Sequence, residues 1–395
     1  MYTIQKIAEI THPIVANLPM PSNEIEDLLF DSRQILDAKI TLFFAIKGVR
    51  NDGHEFIPEL IEKGVRNFIV SDDIFINTYP EANFLVVTDT VKALQTIGKY
   101  HRHQFDIPVI GITGSNGKTI VKDWLFQLLQ DDYNVIRSPK SYNSQIGVPI
   151  SVWQMDKEHD LAIFEAGITV KGAMKNIAPV IDCNIGIFTN IGTAHDEGFD
   201  DLLQKTQEKA ILFEHADTII YNKDYNPIQR VLKSFKGKRL FSWSRKQKAD
   251  LEIKNIDISR DLTQIDAVYE GKSIQLTTTY TDDASIENMI HLWATMFVLG
   301  YKQEDIVAKM NRLTPVAMRL ELIGGFNNCK IINDSYSLDL TSLHLALNFL
   351  DQQANHLEKV VILSDIFQTG MHDDDLFLQI SKLIQKHKIQ IFIGI

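Results

Sequence analysis

The chain has 395 residues, 45% of them apolar and 23% charged, enough to bury the cores of two or three ordinary folded domains. A formal net charge of -11 argues against a sequence-independent nucleic-acid binder, which needs a basic surface, but leaves room for a polyanionic small molecule held locally. The two cysteines, Cys183 and Cys329, form no CxxC pair, and no apolar run nears the ~18–20 residues of a membrane span, so a cytoplasmic protein is expected.

In chain order, "MYTIQKIAEITHPIV" lacks the basic and apolar regions of a secretory signal. The strand-like runs "LFFAIKG", "NFIVSD" and "NFLVVTD" then alternate with the helical patterns "FIPELIEKG" and "TVKALQTIGKYHRHQF". A new unit opens at "FDIPVIGITGSNGKT", which feeds a helix with apolar residues at Ile120, Val121, Trp124, Leu125, Leu128 and Leu129. Further buried strands are predicted at "NVIRS", "LAIFEAG", "NIGIFTNIG" and "DTIIYN". Helices between them give the pattern of a doubly wound parallel sheet, whose ligands gather at the carboxyl ends of the strands. "LEIKNIDIS", "QIDAVYEG" and "KSIQLTTTY" alternate apolar and polar residues, as an antiparallel patch on that sheet would. "SIENMIHLWATMFVLGY" returns to helix, and a third α/β unit begins after Leu313-Thr314-Pro315. The last residues, "KHKIQIFIGI", end in or just after a strand, from which a fragment of something longer is expected.

The segment "GSNGKT" carries the first chemistry. It misses the strict GxxxxGK[ST] phosphate loop, because Ile112 stands five residues before Gly117. The remaining physics still fits. Gly114, Ser115, Asn116 and Gly117 can curl their N–H groups toward an anion at a helix N-terminus. Lys118 can reach outer phosphates, and the Thr119 hydroxyl suits Mg²⁺. A plain strand-to-helix turn is the alternative. Glu165 ends the apolar strand "LAIFE", where a carboxylate suits a hard cation, or is simply solvated. His195 follows another strand end, and Lys209 reads by default as a surface helix lysine.

"TGSNGKT" in this setting resembles the ATP-binding signature of the Mur ligases, and the resemblance runs over nearly the whole chain through "FDSRQILDAKITLFFAIKGVRNDGHEF", "YNSQIGVP", "FEAG", "TNIGTAHDEGF" and "INDSYSLD". It implies a three-domain α/β architecture. Residues 1–104 would form a uridine-nucleotide domain, 105–313 a central doubly wound ATPase domain and 314–395 a truncated Rossmann-like domain. It implies ATP and two Mg²⁺ ions, with Thr119 and Glu165 on one ion, and His195 and a carbamylated Lys209 on the other. Lys118, His195 and Lys209 would be catalytic. Asn288, Arg319 and Asp334 would join the nucleotide, and Ser32, Arg33, Lys47, Asn143 and Thr193 the other substrates.

The pattern departs from the family at several points. Gly-x-His-Asn reads Ser285-Ile286-Glu287-Asn288, one of three asparagines survives at Asn143, and "GDMxELG" reads "SDIFQTG". Within the family the C-terminal motif is nearest the branch that adds D-alanyl-D-alanine to UDP-MurNAc-tripeptide. The third-residue ligase and the folylpolyglutamate synthase relatives rank behind it. A nucleotide-binding module with little turnover is the alternative of another class. The resemblance also leaves open a C-terminal fusion to alanine racemase.

Overall fold

The computed structural model describes residues 2–48, 51–192, 198–259, 262–336, 338–354, 357–366 and 371–395. The chain divides into two compact units. The first is Met1–Ile107 with Ser141–Lys157 and Asn176–Ile181, and the second is Pro108–Lys140, Glu158–Lys175 and Asp182–Ile395.

In the first unit, the described residues form a five-stranded sheet in the order Val15–Asn17, Asn83–Val86, Asn67–Val70, Thr41–Phe44, Asp27–Leu29. Only the Val15–Asn17 edge is antiparallel. The three inner strands are buried along their whole length, as parallel strands covered on both faces must be. Helix Thr90–Arg102 starts where the Asp89 carboxylate accepts from the Lys92 N–H at 2.9 Å. Against it lies helix Gly147–Trp153, so closely that a Cβ at Gly98 would stand 2.7 Å from the Pro149 Cβ. Segments 141–157 and 176–181, assigned by the sequence to residues 105–313, thus pack with the first unit, because Gly98 leaves a slot for the second helix. The sequence pattern also passed over helix Ile4–Thr11, whose Ile4, Ile7 and Ile10 are buried and whose Thr3 hydroxyl accepts from Lys6 N–H.

The second unit is built on a sheet with nine strands among the described residues. Its order is Lys272–Thr278, Thr263–Tyr269, Leu251–Ile258, Arg239–Ser244, Thr218–Asn222, Ile185–Phe188, Val109–Thr113, Leu161–Glu165, Val135–Arg137. The first two run antiparallel to their neighbours, and every other pairing is parallel, as the alternating and continuous apolar patterns indicate. Strand Val109–Thr113 has Leu161–Glu165 on one side and Ile185–Phe188 on the other. Successive connections therefore leave it in opposite directions, opening a crevice at its carboxyl end. Trp124, Leu125 and Leu128 of helix Lys118–Leu129 and Met289, Ile290 and Trp293 of helix Asp283–Val298 pack in the core with Ile110, Ile112 and Ile163.

After Pro315 come a hairpin, Glu321–Gly324 with Lys330–Asn333, and a parallel pair, Val360–Leu363 with Ile391–Gly394. Helices Leu340–Ala354 and Asp373–Lys386 close a small core with this pair around Leu343, Leu347, Leu363, Leu376 and Ile380. No described helix is long and apolar enough to cross a membrane.

Candidate active site

The crevice is occupied by the loop Gly114–Gly117. Gly114 (φ +150°) and Gly117 (φ +83°) take backbone shapes closed to ordinary side chains, and both sit under tight neighbours. A Cβ on Gly114 would lie 2.0 Å from Thr189 Oγ1, and one on Gly117 would lie 2.3 Å from Asn288 Oδ1. The loop is held from behind by the end of strand Ile185–Phe188. Asn190 accepts from Ser115 N–H through its carbonyl (3.0 Å) and from Asn116 N–H through its side chain (2.9 Å). The Thr189 hydroxyl donates to the Asn116 carbonyl at 2.6 Å.

Helices Thr90–Arg102, Leu202–Ala210 and Asp283–Val298 each have an aspartate side chain capping their first turn. Helix Lys118–Leu129 begins at Gly117 with no side-chain cap. Its first N–H groups and its partial positive charge therefore point into the crevice, the arrangement that receives a phosphate.

Three charged side chains meet beneath this helix end. Lys118 Nζ donates to the carbonyls of Gly114 (3.0 Å) and Ser115 (2.9 Å). Lys209 Nζ, buried, donates to the same Gly114 carbonyl at 3.2 Å. Burial pushes the Lys118 ammonium down to about 8, against the pull of Glu165. Burial, with the neighbouring Lys118 and Lys205 charges, drives Lys209 well below the usual lysine range. Glu165 is fully buried. Its Oε2 accepts from Thr119 Oγ1 at 2.9 Å, while Oε1 has no hydrogen-bond partner and stands 4.0 Å from Lys122 Nζ. Burial raises its pKa, with Lys122 and Lys118 opposing.

A buried carboxylate oxygen lacking a donor, beside a threonine hydroxyl and under an uncapped helix N-terminus, is a fitting place for a hard divalent cation. Lys122 braces the arrangement by donating to the Ser138 carbonyl (2.8 Å) and to that of Lys140.

A cavity of ≈ 190 Å³ beside the loop is lined by Asn116, Gly117, Glu287 and Asn288 together with Arg319 and Asp334. The Arg319 guanidinium lies 4.3 Å from the centre of the Tyr336 ring. Asp334 accepts from the Leu320 N–H at 3.2 Å, and burial lifts its carboxyl to about 6.

Gly114, Ser115, Asn116, Gly117, Lys118, Thr119, Glu165, Lys209, Asn288, Arg319 and Asp334 all belong to this unit and line or adjoin the crevice. His195 and Thr193 lie outside the described residues. Ser32, Arg33, Lys47 and Asn143 belong to the first unit. There Arg33 grips Asp31 through two bonds (2.8 and 2.7 Å), holding that carboxyl down at about 2, and Lys47 pairs with Asp52 at 3.5 Å.

Thr189, Asn190, Lys122 and Lys205 escaped the sequence reading. For the first two the only local sign was a polar pair directly after an apolar strand. Lys122 follows Lys118 by one helical turn, a spacing that could have placed both on the loop side.

Two family descriptions match this chain: the Mur ligase middle domain over residues 112–296 and the Mur ligase catalytic domain over residues 24–104. A UDP-N-acetylmuramoyl-tripeptide–D-alanyl-D-alanine ligase of Bacillus subtilis is 26% identical over 390 residues, covering 98% of this chain and 83% of its own length. The crystal structure of MurF from Acinetobacter baumannii superposes with a TM-score of 0.86 at 24% identity, over 100% of this chain and 85% of that one. MurF from Thermotoga maritima in complex with ADP gives 0.77 at 18% identity, over 91% and 82%. With Lys118 and Lys209 meeting at the Gly114 carbonyl beneath an uncapped helix, and with these matches across both units, the chain belongs to the Mur ligase family.

Proposed function

We propose that the chain is the ATP-dependent ligase that joins D-alanyl-D-alanine to UDP-MurNAc-tripeptide in peptidoglycan precursor synthesis, working in the cytoplasm. The observation that carries this reading is the meeting of Lys118, Lys209 and Glu165 under an uncapped helix N-terminus. The name of the Bacillus relative, matched along nearly the whole chain, selects the acceptor and donor.

In this reading the peptide carboxylate attacks the γ-phosphorus, the bond to ADP breaks, and an acyl phosphate forms. The amine of D-alanyl-D-alanine then attacks the carbonyl, the C–N bond forms, phosphate leaves and the nitrogen loses a proton. Carboxylate and triphosphate repel, so the protein's main task is electrostatic. The N–H groups of Gly117–Thr119 and the Lys118 ammonium receive the β- and γ-phosphates. Arg319 and Asp334, which line the same cavity, bear on the nucleotide and help to exclude water.

Thr119 and Glu165 would hold one Mg²⁺, which when bound supplies charge neutralisation at the phosphates. The Lys209 amine, whose charged form burial disfavours, would add CO₂: its nitrogen bonds the carbon and releases a proton, leaving a carboxylate-like group that would hold a second ion together with His195. Ser32, Arg33, Lys47, Asn143 and Thr193 are assigned to the nucleotide-sugar and peptide substrates. The functional division into residues 1–104, 105–313 and 314–395 belongs to the same reading.

The test is phosphate release from MgATP with UDP-MurNAc-tripeptide and D-alanyl-D-alanine, each omitted in turn. Release that needs both, and that is lost in Lys118→Ala, supports the proposal. Release with UDP-MurNAc-dipeptide and a single amino acid instead makes this the third-residue ligase. Binding without release makes it a nucleotide-binding module.

A further inference from the structure

Helix Leu202–Ala210 carries a second buried lysine, Lys205, one turn before Lys209. Residues four apart on a helix share a face, with Cβ atoms about 5–6 Å apart, so the two side chains run alongside each other. Burying one ammonium is costly, and burying two as neighbours adds their repulsion.

Each lysine ends on a backbone carbonyl. Lys209 Nζ donates to Gly114 at 3.2 Å, and Lys205 Nζ donates to Gly192 at 2.6 Å. Those carbonyls belong to loops that are latched together. Ser115 Oγ donates to the Gly192 carbonyl (3.2 Å) and accepts from the Gly192 N–H (2.9 Å), and Ser115 directly follows Gly114. Both lysine tips therefore lie at one junction, where the phosphate loop meets the segment after strand Ile185–Phe188, and the Lys205 charge bears on Lys209.

Two ammonium groups are a poor pair at such a junction, whereas an ammonium beside an anion is a good one. Carbamylation would make that exchange. The Lys209 nitrogen bonds the carbon of CO₂, one proton leaves to solvent, and a group of negative charge stands next to Lys205. Lys118 shares the Gly114 carbonyl, but the ATP-dependent reading commits it to the phosphates. We infer that Lys205 is the counter-ion of the Lys209 carbamate, its ammonium holding the new carboxylate-like group beside Gly192 without help from a metal. The inference rests on the carbamylation reading above and deepens it.

The test is ¹³C-bicarbonate titration of the whole chain without metal or nucleotide, read as the carbamate resonance that Lys209→Met lacks. Three variants separate the charge from the tether. Lys205→Gln keeps a donor for the Gly192 carbonyl and loses the charge, Lys205→Met loses both, and Lys205→Arg keeps both. A charge-assisted contact corresponds to roughly ten- to hundredfold, so Gln and Met should each raise the bicarbonate concentration at half-occupancy by that factor, with Arg within about threefold of the unaltered protein. Turnover lost in Lys205→Gln should return as bicarbonate is raised, which loss of a tether alone does not produce. Equal half-occupancy in Lys205→Gln and the unaltered protein overturns the role of Lys205 and leaves carbamylation intact. A resonance seen in the unaltered protein only once Mg²⁺ is added also overturns it, with the metal as the support of the carbamate. No resonance under either condition overturns carbamylation itself, and the phosphate-release assay still decides the ligase reading.

Discussion

Replacing Gly117 by alanine separates two costs that the phosphate loop combines. The residue has φ +83°, and a non-glycine residue there costs about 1 kcal/mol. The added Cβ would also lie 2.3 Å from Asn288 Oδ1 and 3.2 Å from its Cγ, inside a buried site. Overpacking of that kind costs about 1–3 kcal/mol, so the sum is on the order of 2–4 kcal/mol. Gly271, in the turn between strands Thr263–Tyr269 and Lys272–Thr278, provides the control. Its φ is +74° and nothing stands within 4 Å of its would-be Cβ, so alanine there should cost only about 1 kcal/mol. Calorimetric unfolding of both variants, and of each in an Asn288→Ala background, resolves the terms. The excess cost of Gly117→Ala should disappear when Asn288 is shortened, while Gly271→Ala should be indifferent to it. MgADP affinity of Gly117→Ala should fall by at least about tenfold, because the loop N–H groups can no longer converge. Equal destabilisation by Gly117→Ala and Gly271→Ala, to within about 0.5 kcal/mol, would refute the close-approach argument.

Three further outcomes are expected. Lys209→Met should lower turnover at least about a hundredfold while retaining MgADP binding, and ¹³C-labelled bicarbonate should give a carbamate resonance in the unaltered protein alone; a resonance that survives in Lys209→Met would place the carbamate elsewhere. Glu165→Gln should raise the Mg²⁺ concentration needed for half-maximal turnover by roughly tenfold or more, and an unchanged requirement would remove Glu165 from the cation site. His291 is buried neutral, with Nδ1 accepting from Trp243 Nε1–H and Nε2–H donating to the Thr189 carbonyl, and burial depresses its pKa to about 4. The unfolded chain then holds the extra proton between about pH 4 and 6.5, so stability rises with pH across that window. Denaturant unfolding at pH 4.5 and pH 7 should show a larger difference for the unaltered protein than for His291→Gln, and equal differences would contradict the assignment.

The sequence by itself determined whatever depends on neighbours in the chain. Most inner strands of both sheets, the antiparallel patch at 251–278 and the glycine loop leading into helix Lys118–Leu129 were legible, because periodicity and glycine placement are local signals, whereas helix Ile4–Thr11 and strand Arg239–Ser244 were passed over. Lys209 could be chosen only by resemblance, since a lysine on an amphipathic helix carries no mark of being buried against the Gly114 carbonyl. Tertiary structure alone decided that Asn190 and Thr189 hold the loop, and that Glu165 keeps a bare oxygen beside Thr119. It likewise sent residues 141–157 to the first unit, through the slot at Gly98. The physical reason is common to all of these. A parallel sheet brings the carboxyl ends of strands far apart in sequence to one edge, and only there do burial and proximity set what each side chain can do.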